Sequence, residues 1–531
     1  MKETFILYIF VIFLILLLNM GARKLKIAAP LLLVPGGLLL SWVPALSHIT
    51  IDPELIFMIF LPPLLYEAAW FTSWKEMWRW RRVISVFAVL IVILTSGVVA
   101  VVSVAWIPGF TLALGFLLGG IVSPPDAVSA TSVMHLVRVP KRITHILEGE
   151  SLLNDASSLI IFRFALAAVD TGRFVVHEAI GSFLLVIVVG IAVGVAIAMI
   201  YYAIHRWLPT TPDIDIVLTL TAPYVMYIAA ESIHVSGVLS VVSGSLFLST
   251  RSYQILTHRS RLRGANVWST IGFVLNGLVF MLIGLELPEI VRQLGTVSLW
   301  QAIGYSLGIT AVLIVARLLC TLGSSVFTRY ISRYITTADS NPGWKGPLIV
   351  GWAGMRGVVS LAAALSIPYT LSGGGDFHER DLIIFITFMV IVLTLLVQGL
   401  TLPALVRRLN WKDPDHQLTP EEQDLKIRKQ LTAFSLTWLK EHCPDKIESN
   451  PLLKQLKGRY YADNVQLAQE SHDVQEEYKY YYLKLIKKER KFLLDLNKHL
   501  ENDEEIIRKY QDILDLEQEK LLCLYEPIDP E

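Results

Sequence analysis

The sequence contains few cysteines and few charged residues, and its net charge is zero. The three cysteines, Cys320, Cys443 and Cys523, form no CxxC motif and have no metal-like spacing. They exclude a disulfide framework and a zinc ribbon. Charged residues make up 17% of the 531 positions, compared with roughly 25% in an average soluble domain. Together with a hydrophobic content of 54%, this low charge excludes a disordered protein and an ordinary cytosolic one.

The zero net charge is the sum of two opposite surpluses. The first 412 residues contain 28 Lys and Arg against 20 Asp and Glu, and the remaining residues contain 18 against 26. Residues 1–408 are apolar in long blocks, whereas residues 409–531 are charged at helical spacing. We predict a transmembrane domain over 1–408 and a helical cytoplasmic domain over 409–531. The second domain is either a regulatory or dimer-contact unit or a solvated tail, and its acidic surplus argues against nucleic-acid binding.

The apolar blocks have the length of membrane spans. A spanning helix needs about 20 predominantly apolar residues, and residues 1–408 divide into about thirteen such stretches. These are 4–21, 28–46, 54–72, 83–106, 109–134, 147–168, 176–204, 214–231, 236–250, 266–288, 299–328, 345–369 and 380–406. Basic residues follow the first stretch instead of preceding it, which favours a retained anchor over a signal peptide. The predicted fold class is an all-α polytopic membrane protein.

Lys and Arg are distributed unequally between the two sets of connecting loops. Loops on the side of Arg23 contain 21 of them, and the other side has only Lys2, Arg173, Arg292 and Arg380. Cytoplasmic loops hold the excess of Lys and Arg in membrane proteins. The N-terminus is therefore expected outside the cell and the C-terminal domain in the cytoplasm.

Nine charged side chains fall inside the predicted spans. They are Glu67, Asp126, Glu150, Asp155, Glu231, Glu286, Arg163, Arg317 and Arg356. Each costs about 2.5 to 3.5 kcal/mol if it faces lipid, so most must face one another or water. Carboxylates at this depth mark ion or proton pathways, and the alternative is a buried ion pair that only fixes helix register. No motif assigns a role to Arg163, Arg317, Glu231 or Glu286.

The sixth predicted span, EGESLLNDASSLIIFRF, presents two neighbouring polar stripes. Ser151 and Asp155 are one helical turn apart, and Glu150 and Asn154 form the adjacent row. A hydroxyl and a carboxylate are hard oxygen ligands, which suit Na⁺ or Li⁺ and not soft transition metals. The Asn154 amide can hold a neighbouring backbone or carboxylate in place.

Two of the predicted spans contain helix-breaking sequences. In GGIVSPPDAVSA, Pro124 and Pro125 remove two amide donors, and Asp126 follows at the start of the next half-helix. The second break is GWAGMRGVVSLA, where glycines surround Arg356. Spans 1 to 6 and 8 to 13 then form inverted repeats with the two breaks as counterparts, an arrangement typical of transport sites.

Charge compensation near the breaks suggests which carboxylates remain available for transport. The permanently charged Arg356 can neutralise Asp126 and Glu150 and leave Asp155 free for a mobile cation. Glu67, after a Pro-Pro break in FLPPLLYEAAW, is a further carboxylate without a partner in this scheme. A buried carboxylate keeps a proton readily, and a bound cation displaces that proton. Competition between the two ions is sufficient for exchange.

Four motifs carry a family resemblance. FLPPLLYEA, VSPPDAVSA, GESLLNDA and GMRGVVSLA, in this order, resemble the bacterial sodium/proton antiporters of the cation:proton antiporter family 1, relatives of the animal sodium/proton exchangers. The resemblance covers essentially all thirteen spans. It implies a multi-pass protein of the bacterial plasma membrane that exchanges Na⁺ or Li⁺ for H⁺ without enzymatic activity or a cofactor. It also implies a homodimer whose mobile core domain carries two crossed, unwound helices.

The resemblance also implies roles for individual residues. Asp155 is similar to the essential ion- and proton-binding carboxylate, and Asn154 to its partner in an Asn-Asp pair, which the family associates with electroneutral one-for-one exchange. The remaining implied roles are cation binding by Ser151, Glu67 and the Pro125 backbone carbonyl, and an ion bridge formed by Asp126, Glu150 and Arg356. Many members have Thr-Asp-Pro where this chain has Pro125, Asp126 and Ala127. The missing Thr hydroxyl keeps K⁺/H⁺ antiport open as an alternative.

Three other classes are less well supported. Residues 373–376 match the GxGD pattern of an intramembrane aspartyl protease, but they fall in a predicted outer loop and no Tyr-Asp partner occurs. A cation channel lacks a recognisable selectivity-filter loop here. A transporter-like sensor that signals through its C-terminal domain is the third possibility.

Overall fold

The computed structural model of the chain describes most of its 531 residues. The described ranges are 2–43, 56–134, 137, 139–172, 176–294, 297–334, 339, 342–370, 377–411, 420–443, 447, 449–468, 472–496 and 504–525. Residues 373–376 and the start of the predicted linker, 413–419, lie outside them.

The chain divides into two compact units, Met1–Lys412 and Asp413–Glu531. Within the described ranges, the regular elements are helices. Those of the first unit are α1 (Lys2–Leu25), α2 (Pro30–Leu40), α3 (Leu61–Phe71), α4 (Trp74–Arg79), α5 (Arg81–Ser85), α6 (Val92–Trp106), α7 (Leu112–Val122), α8 (Ala127–Met134), α9 (Lys141–Thr171), α10 (Val176–Trp207), α11 (Pro212–Ser232), α12 (Gly237–Ile255), α13 (His258–Arg292), α14 (Leu299–Ile331), α15 (Lys345–Trp352), α16 (Val358–Leu365) and α17 (Arg380–Leu409). Short π-helical segments, Ile56–Phe60 and Val86–Ile91, precede α3 and join α5 to α6.

Eight helical segments of the described residues are long and apolar enough to cross a membrane. Shorter apolar helices occur at Pro30–Leu40 and Met58–Phe71. The prediction of an all-helical multi-pass membrane protein is confirmed, and the count of thirteen spans stays a prediction. Helix α9 begins at Lys141 instead of near residue 147, because its first turns are polar and hydropathy alone does not detect them.

Both predicted breaks separate two helices of the first unit. Helix α7 ends at Val122 and α8 begins at Ala127, since neither Pro124 nor Pro125 can donate a backbone hydrogen bond. Helix α15 ends at Trp352 and α16 begins at Val358, after an irregular glycine-containing segment.

Small residues allow α7 to pack closely on its neighbours. A methyl group at Gly119 would overlap the backbone of Ser96 on α6, whose hydroxyl donates to the Gly119 carbonyl over 3.1 Å. On the opposite side, the Ser158 hydroxyl of α9 donates to the Gly120 carbonyl over 2.6 Å. These contacts hold α9 against the first break.

The second unit contains four described helices of at least 18 residues: α18 (Pro420–His442), α19 (Pro451–Ala468), α20 (His472–Leu496) and α21 (Glu504–Tyr525). Arg490 of α20 is paired with Asp515 of α21. The apolar stripes of these two helices include the buried Ile486 and Leu514. None of the eight candidate membrane spans lies in this unit.

Candidate functional site

Helix α9 carries three deeply buried polar side chains in its middle. Glu150 and Asn154 are fully buried, and Asp155 is 7% exposed. The spacing predicted for this helix therefore places the polar stripes inside the helix bundle.

The first break is stabilised by an acidic cap on α8. The Asp126 carboxylate accepts hydrogen bonds from the backbone N–H groups of Val128 (3.0 Å) and Ser129 (3.2 Å) and from the Ser129 hydroxyl (2.5 Å). Ser151 Oγ accepts one from the Ala127 N–H over 3.2 Å. The free donors at the start of a helix are satisfied in this way, and the helix dipole favours the negative charge there.

Asn154 connects α9 to the same break. Its Nδ2 donates to the Pro125 carbonyl over 2.9 Å, which is the backbone-holding contact expected for this side chain. Its Oδ1 is buried and has no hydrogen-bond partner among the described residues. The amide orients the Pro125 carbonyl, which keeps a second lone pair for a ligand.

A small cavity of about 70 Å³ lies between the first break and α9. Residues that line it include Pro125, Asp126, Ser151 and Asp155. Within the described part of the chain, no hydrogen bond to the Asp155 carboxylate is present, and Asp126 is the other carboxylate that lines the cavity. This volume is large enough to hold water-sized species.

The second break meets the first through the backbone. The Asp126 N–H donates to the Met355 carbonyl over 2.7 Å. A methyl group at Gly357 would overlap the Asp126 carboxylate, so glycine is required for this approach. The Arg356 N–H donates to Thr394 Oγ1 of α17 over 3.2 Å.

The predicted ion bridge of Asp126, Glu150 and Arg356 stays a prediction, and the hydrogen bonds of the three side chains go to other groups. The Arg356 guanidinium donates to the carbonyls of Val122 and Gly354, and not to Asp126 or Glu150. Interrupted helices release carbonyl groups that need donors, and the C-terminal end of α7 carries a partial negative charge that favours a cation. The prediction considered only carboxylates as partners for Arg356.

Glu150 is paired with Arg317 of α14. Two hydrogen bonds join the side chains, Nη1 to Oε1 at 2.8 Å and Nη2 to Oε2 at 3.0 Å. Arg317 is 2% exposed, and its Nη2 also donates to the Val350 carbonyl over 3.4 Å. The pair therefore fixes α9 relative to α14 and α15. The sequence places Arg317 within a predicted span, which marks it as unusual, but no motif indicates its partner.

Glu67 lies beside the cavity and not in its wall. Leu64 and Ala68 of α3 line the cavity, whereas the Glu67 carboxylate packs against Gly272 of α13, where a methyl group would overlap it. Asn276, one turn further along α13, does line the cavity. Glu67 is thus absent from the lining that Ser151, Asp155 and Pro125 share.

Two further polar residues line the cavity and were missed, Asn276 and Ser360. Uncharged polar residues are common in spans and give no sequence signal. Arg163 and Glu231 form a separate ion pair between α9 and α11, with Nη2 2.7 Å from Oε2 and both side chains partly exposed.

Comparisons with known proteins agree with this architecture. Residues 9–408 match the family described as "Sodium/hydrogen exchanger, transmembrane". The chain is 34% identical over 428 residues to the sodium, potassium, lithium and rubidium/H⁺ antiporter of Bacillus pumilus, covering 78% of this chain and 62% of that protein. It is 31% identical over 519 residues to the uncharacterized Na⁺/H⁺ exchanger YjcE of Escherichia coli, covering 92% and 93%.

The solved structure of the sodium proton antiporter MjNhaP1 from Methanocaldococcus jannaschii at pH 8 has a similar fold. The TM-score is 0.62 at 19% identity, and the match covers 78% of this chain and all of that one. The chain spans about three fifths of the length of the two Bacillus relatives it matches, which are both named as antiporters of sodium, potassium, lithium and rubidium.

Proposed function

The chain belongs to the sodium/hydrogen exchanger family, and we propose that it exchanges Na⁺ or Li⁺ for H⁺ across the bacterial plasma membrane. The cation and the proton compete for the Asp155 carboxylate, and the chain acts as a transporter and not as an enzyme. One observation supports this most directly. The buried Asp155 carboxylate faces a small cavity beside two interrupted helices and accepts no hydrogen bond from the described residues.

The cation would be held by oxygen ligands. Asp155, Ser151 and Pro125 all line the cavity, and they offer a carboxylate, a hydroxyl and a carbonyl. Oxygen donors of this kind suit hard cations. Asp126 adds negative charge nearby, although backbone donors already occupy its carboxylate. Glu67 would join this set only if its carboxylate left Gly272.

The proton would occupy the same carboxylate when the cation leaves. Asn154 cannot titrate, so the Asn154–Asp155 pair offers one ionisable group. One proton then replaces one monovalent cation, and the exchange is electroneutral. This stoichiometry follows from the charge of the two forms of Asp155.

Transport requires the cavity to open to each side in turn, as in other proteins with interrupted helices. The Arg163–Glu231 pair joins α9 to α11 two turns beyond Asp155. In the predicted orientation, this is the outer half of the membrane. We infer that the pair closes the outer path, and that a homodimer holds α11 while a core containing α9 moves. The second unit would be a cytoplasmic regulatory domain.

K⁺/H⁺ antiport is the second candidate. The names of the two Bacillus relatives include potassium, and the first break of this chain lacks the Thr hydroxyl found in many members. A series of Na⁺, Li⁺ and K⁺ in vesicles across pH separates the two candidates.

The test uses proteoliposomes with an imposed pH gradient and a pH-sensitive dye inside. Addition of Na⁺ should move protons with the wild type and with Asp213→Asn, which changes a side chain that is 83% exposed. Asp155→Asn should abolish this movement, because an amide neither binds the proton nor attracts the cation. Equal exchange by Asp155→Asn and the wild type would refute the proposal.

A further inference from the structure

A second, much larger cavity lies among the helix ends of the first unit. Its volume is about 840 Å³, and the connection between α4 and α5, the start of α9 and the ends of α14 and α15 line it. It shares no lining residue with the cavity at Asp155. The excess of Lys and Arg in these connections predicts that it faces the cytoplasm.

The lining of this cavity is rich in basic residues. Its lining includes Arg79, Arg81, Arg82 and Arg142, against one acidic residue, Asp339. The guanidinium group of arginine binds phosphate groups through paired hydrogen bonds. The same surplus of positive charge disfavours the passage of Na⁺ or K⁺ through this cavity.

Arg142 is built into the wall of the cavity. It is 7% exposed, its Nη1 lies 2.6 Å from Asp339 Oδ2, and its guanidinium lies 4.2 Å from the Trp80 ring centroid. Trp80 is fully buried, and its indole Nε1 has no hydrogen-bond partner in the described part of the chain. An unpaired buried donor on a residue of the cavity lining is unusual, because buried polar groups are normally paired.

Other residues of the cavity lining are apolar. Val83, Phe87, Ile143 and Ile146 line it, and Phe327 of α14 lines it while being 61% exposed. Exposed apolar surface on a spanning helix contacts acyl chains. The cavity lining is thus amphipathic, with basic residues and an apolar flank that includes the exposed Phe327.

We propose that this cavity binds the phosphate headgroup and upper acyl chains of an anionic phospholipid from the cytoplasmic leaflet. Basic pockets between membrane helices are recognised sites for such headgroups. A free phosphate compound shares the headgroup chemistry, but it would leave the apolar flank without a partner. The assignment is independent of the antiport mechanism, because it depends on the arginines and the apolar wall alone.

A ligand in this cavity would contact a residue that helps to hold the transport site in place. Val350 lines the cavity, and its carbonyl accepts a hydrogen bond from Arg317, which holds Glu150 on the helix of Asp155. A bound lipid therefore stabilises the arrangement of α9, α14 and α15. We expect anionic lipid to raise the thermal stability of the protein.

The test measures melting temperature of the full chain in uncharged detergent against increasing phosphatidylglycerol, with phosphatidylcholine, glycerol 3-phosphate and inorganic phosphate as separate arms. Phosphatidylglycerol alone should stabilise the wild type. Arg81→Gln/Arg82→Gln should need about tenfold more phosphatidylglycerol or more for the same shift. Arg259→Gln/Arg263→Gln removes two exposed charges outside the cavity lining and should match the wild type.

The single variant Arg82→Gln should need an intermediate concentration of phosphatidylglycerol for the same shift in melting temperature. Without lipid it should melt like the wild type, which separates an effect on binding from an effect on folding. Equal shifts in both double variants would overturn the proposal. Equal stabilisation by phosphatidylcholine would do the same. A full shift with glycerol 3-phosphate or inorganic phosphate would assign the site to a soluble phosphate compound instead of a lipid.

Discussion

Breaking the Glu150–Arg317 pair should destabilise the protein strongly. The two side chains are 0% and 2% exposed and share two hydrogen bonds of 2.8 and 3.0 Å. Arg317→Met removes the guanidinium and leaves the Glu150 carboxylate buried without its partner. Loss of one member of a buried pair costs about 3 to 5 kcal/mol.

Replacing both partners should recover most of this loss. Glu150→Leu/Arg317→Met removes both charges of the pair, and such apolar replacements of a buried pair are often neutral in free energy. The double variant should therefore be more stable than the sum of the two single variants predicts, by about 3 kcal/mol. The coupling free energy isolates the pair from the general effects of each substitution.

The assay is equilibrium unfolding in mixed micelles, followed by tryptophan fluorescence, for the wild type, both single variants and the double variant. Arg163→Met is the matched control, because Arg163 also makes two hydrogen bonds to one carboxylate but is partly exposed. The control variant should lower the free energy of unfolding by about 1 kcal/mol or less. A loss below about 1 kcal/mol for Arg317→Met, or additive single variants, would refute the assigned pairing.

Three further outcomes are expected. Arg356→Ala should lose most transport and lower the melting temperature, because two carbonyl groups of the interrupted helices lose their donors; normal transport would contradict this anchoring role. Gly272→Ala should displace the Glu67 carboxylate and, if Glu67 contributes to cation binding, raise the Na⁺ concentration for half-maximal rate about tenfold. Gly304→Ala, which adds a methyl group in open space, is its control, and equal values in both variants would remove Glu67 from the site. Finally, clamping the membrane potential with valinomycin should leave the wild-type rate unchanged, and a voltage-dependent rate would exclude one-for-one exchange.

The polar residues around the first break could largely be predicted from local sequence. Ser151, Asn154 and Asp155 fall on adjacent stripes of one helix because helical spacing is a property of the chain itself. Pro124 and Pro125 interrupt a helix wherever it is placed, since the missing donors are covalent features. Asp126, directly after the break, was therefore expected at the start of a helix, and it caps α8.

The pairing of buried charges could not be predicted in this way. Glu150 and Arg317 are 167 positions apart, and Arg356 was an equally charged candidate within another span. Arg356 instead binds two backbone carbonyls, which no count of charged residues includes. The position of Glu67 against Gly272 also depends on the packing of two helices distant in sequence.

The sequence by itself determined that this chain is an all-helical membrane protein with interrupted helices and a buried Asp155. Hydrophobic length, proline chemistry and helical spacing act over a few residues and need no fold. Only the tertiary structure decided which charges meet, which carbonyls Arg356 satisfies and where the basic cavity forms. The sequence shows that a buried charge needs a compensating group. Which group compensates it depends on distances in the folded chain.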